Sequence, residues 1–245
     1  LAEPLFYDLS IHLKSEDPVV LKKLSNLAQH LGYSGIAINS VDNSSKLVRS
    51  MEIDTINLLS SVELKISNAS KLHGQIGKYL NKVDVITVVG GNESINRAAV
   101  ENPNVDVLTR LATPKDNGFN HVLAKEAADH NVAISFDLGD IIHLRGGRRV
   151  HSLMNFRKNL LLVRKYDVPF ILTSNAVSIF DMRAPREMIA LAALFGMTRE
   201  EAISGLSETP GAIALKKNHS PGYIMEGVLE LDSSCVSDDL RGEHV

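Results

Sequence analysis

Short runs of β-branched and aliphatic residues alternate with longer segments of helical periodicity along almost the whole chain. Strand-like runs fall at 5–11, 35–39, 62–67, 83–89, 105–108, 132–136 and 169–174. Most are apolar at nearly every position, as strands covered on both faces are. The spacing between them predicts helices over 18–31, 46–59, 69–82, 93–101, 118–130 and 148–165, with two more over 185–195 and 198–205. Local signals agree at several ends. Pro18, after Ser15 and Asp17, suits a first helical turn, and Gly32 suits a C-terminal stop. Thr198 and Glu201, in the string TREE, fit a capping box.

Seven such units in one domain favour an α/β fold of the TIM-like barrel type, closed or nearly closed by about seven parallel strands. An open seven-stranded sheet is the alternative. Gly90 and Gly91 follow a strand but lack the rest of the dinucleotide-binding glycine pattern. The barrel domain is expected to span 1–220 and a C-terminal extension 221–245. Within the extension, GYIMEGVLEL reads as able to add a strand, and SSCVSDDLRGEHV reads as an acidic, solvated, mobile tail.

With 245 residues, 44% hydrophobic and 22% charged, the chain is large enough for one sizeable core. Its single cysteine, Cys235, excludes a disulfide framework and a cysteine-based zinc site, and fits a reducing cytoplasm. No apolar run approaches the ~18 residues of a membrane span. LAEPLFYDLS has neither the basic start nor the long apolar stretch of a secretory signal. The expected location is therefore cytoplasmic. A net charge of −3 argues against a general nucleic-acid coat, so any such contact must come from a local patch.

Polar residues at strand C-termini face the functional rim of a barrel. Here they are Asp8, Ser10, His12, Asn39, Asp42, Ser67, Arg110, Ser135, Asp137, Ser174 and Asn175. One histidine among few carboxylates is poor in ligands for a metal-dependent hydrolase. His30, His73, His121, His130, His143 and His151 lie mostly on helices or in later loops, without HxH or HExxH spacing, and read as ordinary surface imidazoles. Asp8 reads equally well as a carboxylate that satisfies backbone donors. No catalytic residue and no metal ligand is assigned.

The patch is found between Arg145 and Lys165, where seven Lys/Arg residues occur with no Asp or Glu. Gly146 and Gly147 suggest a flexible turn in which Arg145, Arg148 and Arg149 adapt to phosphate oxygens. Arg157 and Arg164 share one helical face beside Leu153, Leu160 and Leu161, with Lys158 and Lys165 adjacent. Such arginines meet an external anion or else pair with Asp137, Asp140 or Asp167 at the edge of the core. In DMRAPRE, Pro185 starts a helix, so Arg183 and Arg186 are placed to grip a phosphate, unless Asp181 and Glu187 neutralise them. The candidate polyanion-binding set, RNA-binding if the resemblance below holds, is Arg145, Arg148, Arg149, Arg157, Lys158, Arg183 and Arg186. Aromatic residues make up 5% of the chain with no tryptophan, so phosphate and shape contacts suit it better than base stacking.

HLGYSGIAIN, the block RRVHSLMNFRKNLLLVRKYDVPFILTSNA and DMRAPREMIALAALFGM together resemble the archaeal ribonuclease P protein component 3 family, related to the eukaryotic thirty-kilodalton ribonuclease P/MRP subunit. The likeness runs from about Phe6 to about Leu215. It implies a PHP-type, TIM-like barrel that has lost its metal ligands, in keeping with Ser10 in DLSIH. It also implies a non-catalytic protein subunit of the endoribonuclease that removes 5′ leaders from precursor tRNA. The RNA subunit is the catalyst there, with Mg2+ expected in the RNA-containing holoenzyme and no cofactor in the protein itself. Implied partners are the ribonuclease P RNA, precursor tRNA, the ferredoxin-like component 2 and other ribonuclease P proteins. The competing reading is a divergent PHP-like metal-dependent phosphoesterase using His12, Asp8 and rim carboxylates.

Overall fold

The structure, a computed structural model, describes residues 3–12, 17–39, 48, 56–112, 117–218, 223–225 and 228–229. Seven strands form one parallel sheet in sequence order: β1 (Phe6–His12), β2 (Tyr33–Asn39), β3 (Asn57–Leu64), β4 (Val85–Val89), β5 (Val107–Thr109), β6 (Ala133–Asp137) and β7 (Phe170–Thr173). Around them lie α1 (Pro18–Leu31), α2 (Leu72–Tyr79), α3 (Glu93–Val100), α4 (His121–Asp129), α5 (Gly139–His143) and α6 (Gly146–Tyr166). After β7 come α7 (Pro185–Ala192), α8 (Arg199–Leu206) and α9 (Glu208–Asn218). This is the expected TIM-like barrel, nearly closed.

The seam between β1 and β7 has no strand ladder. It is held by one bridge, Ile11 to Ala176, where His12 N–H donates to the Ala176 carbonyl at 2.7 Å. Asp8, fully buried, does the rest. Its carboxylate accepts from Thr173 Oγ1 at 2.6 Å, Ser174 Oγ at 2.5 Å, Ser174 N at 3.1 Å and Ser10 N at 3.2 Å. A buried carboxylate is tolerable only with such partners. Asp8 is thus a closure residue, as its alternative reading had it, and the backbone it satisfies belongs to both sides of the seam.

Inside the barrel, Tyr7, Leu9, Ala37, Leu59, Val85, Val107, Ala133 and Ile171 pack together with Ala214 of α9. Two residues further along their strands, on the same inward face, stand Asn39, Ser61, Thr87, Thr109, Ser135 and Thr173, all buried. The interior therefore changes from apolar to hydroxyl- and amide-lined towards the strand C-termini. α8 comes close to the strands because it carries a glycine at the contact, whereas α9 packs at a distance that would admit a side chain. A Cβ on Gly205 would lie 2.6 Å from Phe170 Cε2, and one on Gly211 3.4 Å from Tyr7 Cε2.

Most elements fall where the pattern predicts. Asp17 caps α1 by accepting from Val19 N at 2.8 Å, and Gly32 ends it with φ 97°. The TREE capping box forms, with Glu201 N donating to Thr198 Oγ1 at 3.2 Å and Thr198 N to Glu201 Oε2 at 2.7 Å. Two predictions need correction. The third strand begins at Asn57, so the last residues of the predicted helix 46–59 are strand; apart from Val48 and Ile56, the earlier part of that helix lies outside the described residues. α5 and α9 were not foreseen. In the extension, Tyr223–Met225 and Val228–Leu229 pair antiparallel as a separate two-stranded sheet, and the expected tail lies outside the described residues.

Candidate functional site

Two regions carry the polar chemistry: the basic helix α6 with its neighbours, and the mouth of the barrel. α6 is anchored by Asn159, Leu160 and Val163, which are buried, and by Phe156. Phe156 packs edge-on to Phe136 at 5.6 Å and to Phe195 at 5.2 Å, while Phe136 stacks on Phe195 at 5.5 Å. Such ring pairs contribute about 0.5–1.5 kcal/mol each beyond their buried area. They fix which face of α6 points inward, and so leave Lys158 and Lys165 exposed on the other, while Arg148 is exposed in the first turn.

The seven candidate cations separate by what their donors already do. Arg145 Nη1 donates to the carbonyls of Ile142 at 2.6 Å and Leu144 at 3.0 Å, and Arg149 Nε donates to Leu144 at 2.8 Å. Both thereby cover carbonyls at the end of α5. Arg157 Nη2 donates to the Leu194 carbonyl at 3.0 Å. Its neighbour Arg164 grips Glu201 with two bonds of 2.7 and 2.8 Å and reaches the Gly196 carbonyl at 2.8 Å. This pair braces the turn after α7, and the expected acceptors Asp137, Asp140 and Asp167 are not its partners. Arg183 Nη1 donates to Phe180 and Met182 carbonyls, both at 2.8 Å. Arg148, Lys158 and Arg186 are exposed and make no hydrogen bond or ion pair among the described residues.

Two local expectations change. Gly146 and Gly147 open α6, with Gly146 at φ 56°, so Arg148 and Arg149 stand on a helix rather than on a flexible turn. The salt-bridge knot in DMRAPRE does not form. Asp181 accepts from Ser178 Oγ at 2.8 Å and lies 3.5 Å from His143 Nε2, while Glu187 accepts from Ala184 N at 3.1 Å. Glu187 thus supplies the anion for its own helix start. Tyr33 Oη donates to the Arg183 carbonyl at 2.8 Å, and Ala176, Ile179 and Met182 pack with α1, so this loop lies along the outside of β1 and β2.

At the barrel mouth, His12, Glu63, Arg110, Asp137 and Asn175 meet. His12 Nε2 lies 3.3 Å from Glu63 Oε2 and 3.3 Å from both Ser10 Oγ and Asn39 Nδ2. Arg110 Nη1 lies 3.1 Å from Glu63 Oε1, its Nε 3.7 Å from Asp137 Oδ2, and its Nη2 donates to Asn175 Oδ1 at 3.3 Å. Asp137 also accepts from Ser135 Oγ at 2.6 Å and Thr109 Oγ1 at 2.8 Å. Burial, aided by Asp140, nevertheless pushes Asp137 up to about 6 against those bonds and Arg110. Burial, with Arg110 nearby, holds His12 below the ordinary imidazole value despite Glu63. Burial likewise raises Asp8, outweighing its hydrogen bonds.

The rim residues Ser10, His12, Asn39, Arg110, Asp137 and Asn175 are brought together as predicted. Asp8 and Ser174 serve the seam, Ser67 is exposed, and Asp42 lies outside the described residues. Glu63, Thr87, Thr109 and Thr173 were not anticipated. Placing β3 late hid Glu63, although the alternation in SSVEL puts Ser61 and Glu63 on one face. Of the other histidines, His30, His73, His121, His143 and His151 are exposed and His130 is half-buried, which fits their reading as surface groups.

The family described as RNase P subunit p30 matches residues 5–220. The chain belongs to that family. Among relatives of this p30-family protein, ribonuclease P protein component 3 of Methanococcoides burtonii is 55% identical over 98% of this chain and 100% of its own length. The protein of the same name from Methanosarcina barkeri is 43% identical over 97% of this chain and 100% of its own. A chain in the cryo-EM structure of archaeal ribonuclease P with mature tRNA superposes with a TM-score of 0.71 at 25% identity, covering 92% of this chain and 99% of that one. A Xaa-Pro dipeptidase shares the fold alone, with a TM-score of 0.56 at 9% identity, covering 92% of this chain and 78% of that one.

Proposed function

We propose that this p30-family protein is a non-catalytic protein subunit of ribonuclease P, supporting the RNA that removes 5′ leaders from precursor tRNA. Membership of the enzyme rests on the full-length match to component 3 relatives and to a chain of the archaeal ribonuclease P structure with tRNA. The non-catalytic role rests on the mouth, where a guanidinium takes the space between the carboxylates that a phosphoesterase would turn on a metal. The observation that carries RNA binding is the trio Arg148, Lys158 and Arg186, whose charges have no partner among the described residues. Unpaired exposed cations are suited to neutralising phosphates. Arg145, Arg149, Arg157 and Arg183 are secondary contacts, because a nitrogen of each is already committed to a carbonyl.

The working partners under this reading are the ribonuclease P RNA, precursor tRNA, the ferredoxin-like component 2 and other subunits. Mg2+ belongs to the RNA-containing holoenzyme, and the setting is the cytoplasm. No helix among the described residues is long and apolar enough to cross a membrane. Photo-crosslinking the chain to ribonuclease P RNA, with crosslinked peptides mapped, tests the interface. Crosslinks in and around α6 and Arg186 support it; crosslinks confined to other faces overturn it.

A further inference from the structure

The mouth of this barrel has the carboxylates of a cation site, but their arrangement suits a fork rather than a point charge. Among the described residues, no three His, Cys, Asp or Glu side chains approach closely enough to hold a metal ion. The three nitrogens of Arg110 instead face three directions: Glu63 at the end of β3, Asp137 at the end of β6, and Asn175 just past β7. Arg110 itself follows β5. One side chain therefore links four strands across the mouth.

Two further observations point the same way. Glu63 is 7% exposed, and its Oε1 is buried without an aligned hydrogen bond, so the nearby guanidinium is the charge that offsets it. Arg110 has φ 49°, a left-handed conformation uncommon for arginine; Asn175, which it touches, has the same value, one that asparagine adopts readily. Backbone strain of this kind persists where the surrounding structure insists on a side-chain position. Lysine would supply the charge but not the three-way span.

We propose that Arg110 is the resident cation of the barrel mouth, neutralising Glu63 and Asp137 and cross-linking β3, β5, β6 and β7, so that the mouth takes no divalent metal. The role belongs to positioning, not to catalysis, and it is separate from the surface that meets RNA.

The test uses the full chain and two readouts. In thermal melts with and without millimolar Mn2+ or micromolar Zn2+, the wild type and Glu63→Gln are expected to respond alike, with no stabilisation that depends on Glu63. Arg110 is 40% exposed, so solvent screens part of the loss, and Arg110→Met is expected to melt about 2–8 °C lower. Arg110→Lys recovers only part of that, and Arg110→Met with Glu63→Gln recovers more, because the stranded carboxylate has been neutralised. A stoichiometric metal that stabilises the wild type but not Glu63→Gln overturns the proposal. So does an Arg110→Met protein as stable as the wild type. If Arg110→Met fails to fold, its rescue by the added Glu63→Gln supports the proposal and absence of rescue contradicts it.

Discussion

The division between committed and free cations makes a quantitative prediction. Consider two sets of alanine substitutions: Arg148, Lys158 and Arg186 in one, Arg157 and Arg164 in the other. Each phosphate neutralised contributes about 0.7–0.9 to the slope of log affinity against log salt. Losing three such contacts should flatten the slope by about 2–3 units. Over a fourfold rise in salt, from about 50 to 200 mM, the triple variant should lose about 20–40-fold less affinity than the wild type. The second set removes the Glu201 fork and the contacts to the Leu194 and Gly196 carbonyls. Arg164 and Glu201 are 39% and 27% exposed, so solvent screening holds the pair to about 0.2–1 kcal/mol, and the whole brace to about 1–2 kcal/mol. In a chain of this size that lowers the melting temperature by roughly 2–8 °C. Filter binding of labelled ribonuclease P RNA across a salt series, beside thermal melts, separates the effects. A slope flattened as much in the brace variant as in the triple variant, or an unchanged slope in the triple variant, would refute the division.

Other consequences follow from the buried carboxylates. Asp8→Ala strands the donors of Thr173 and Ser174 at the seam and should cost about 3–5 kcal/mol in urea unfolding, whereas Asp8→Asn, which keeps an acceptor, should cost less; equal effects would contradict the seam role. Asp137 is raised from 3.8 to about 6, so the native state holds its proton more tightly than the unfolded chain. Stability should therefore fall as pH rises from about 4 to 6 and level off above, by up to about 3 kcal/mol from this group. Asp137→Asn should remove that part of the fall when stability is measured by denaturant titration at each pH, and an unaltered profile would count against it.

How much of this was readable beforehand depended on whether the signal was local. The ends of α1 are written in Asp17, Pro18 and Gly32, and the start of α8 in Thr198 and Glu201, because caps act within a few residues. β3 was misplaced because 46–59 has apolar spacing compatible with a helix, and only the sheet on either side makes Asn57–Leu64 a strand. α9 was hidden by Pro210 and Gly211. Pro210 falls in the first turn, where a missing N–H costs no helical bond, and Gly211, a poor helix former, is carried by packing against Tyr7. The basic helix stood out by charge alone. Which of its arginines were free did not, since Arg157 and Arg164 find acceptors at Leu194, Gly196 and Glu201, 32 to 37 positions away. The role of Arg110 was equally hidden, because its partners arrive from three other strands.

The most direct test of the central claim is precursor-tRNA cleavage reconstituted from the ribonuclease P RNA, component 2 and this chain. A non-catalytic subunit predicts correct 5′ maturation only when the RNA is present, with the chain raising the rate or lowering the Mg2+ needed. Cleavage of precursor tRNA by the chain without the RNA, or activity of the RNA and component 2 that this chain leaves unchanged, would contradict it.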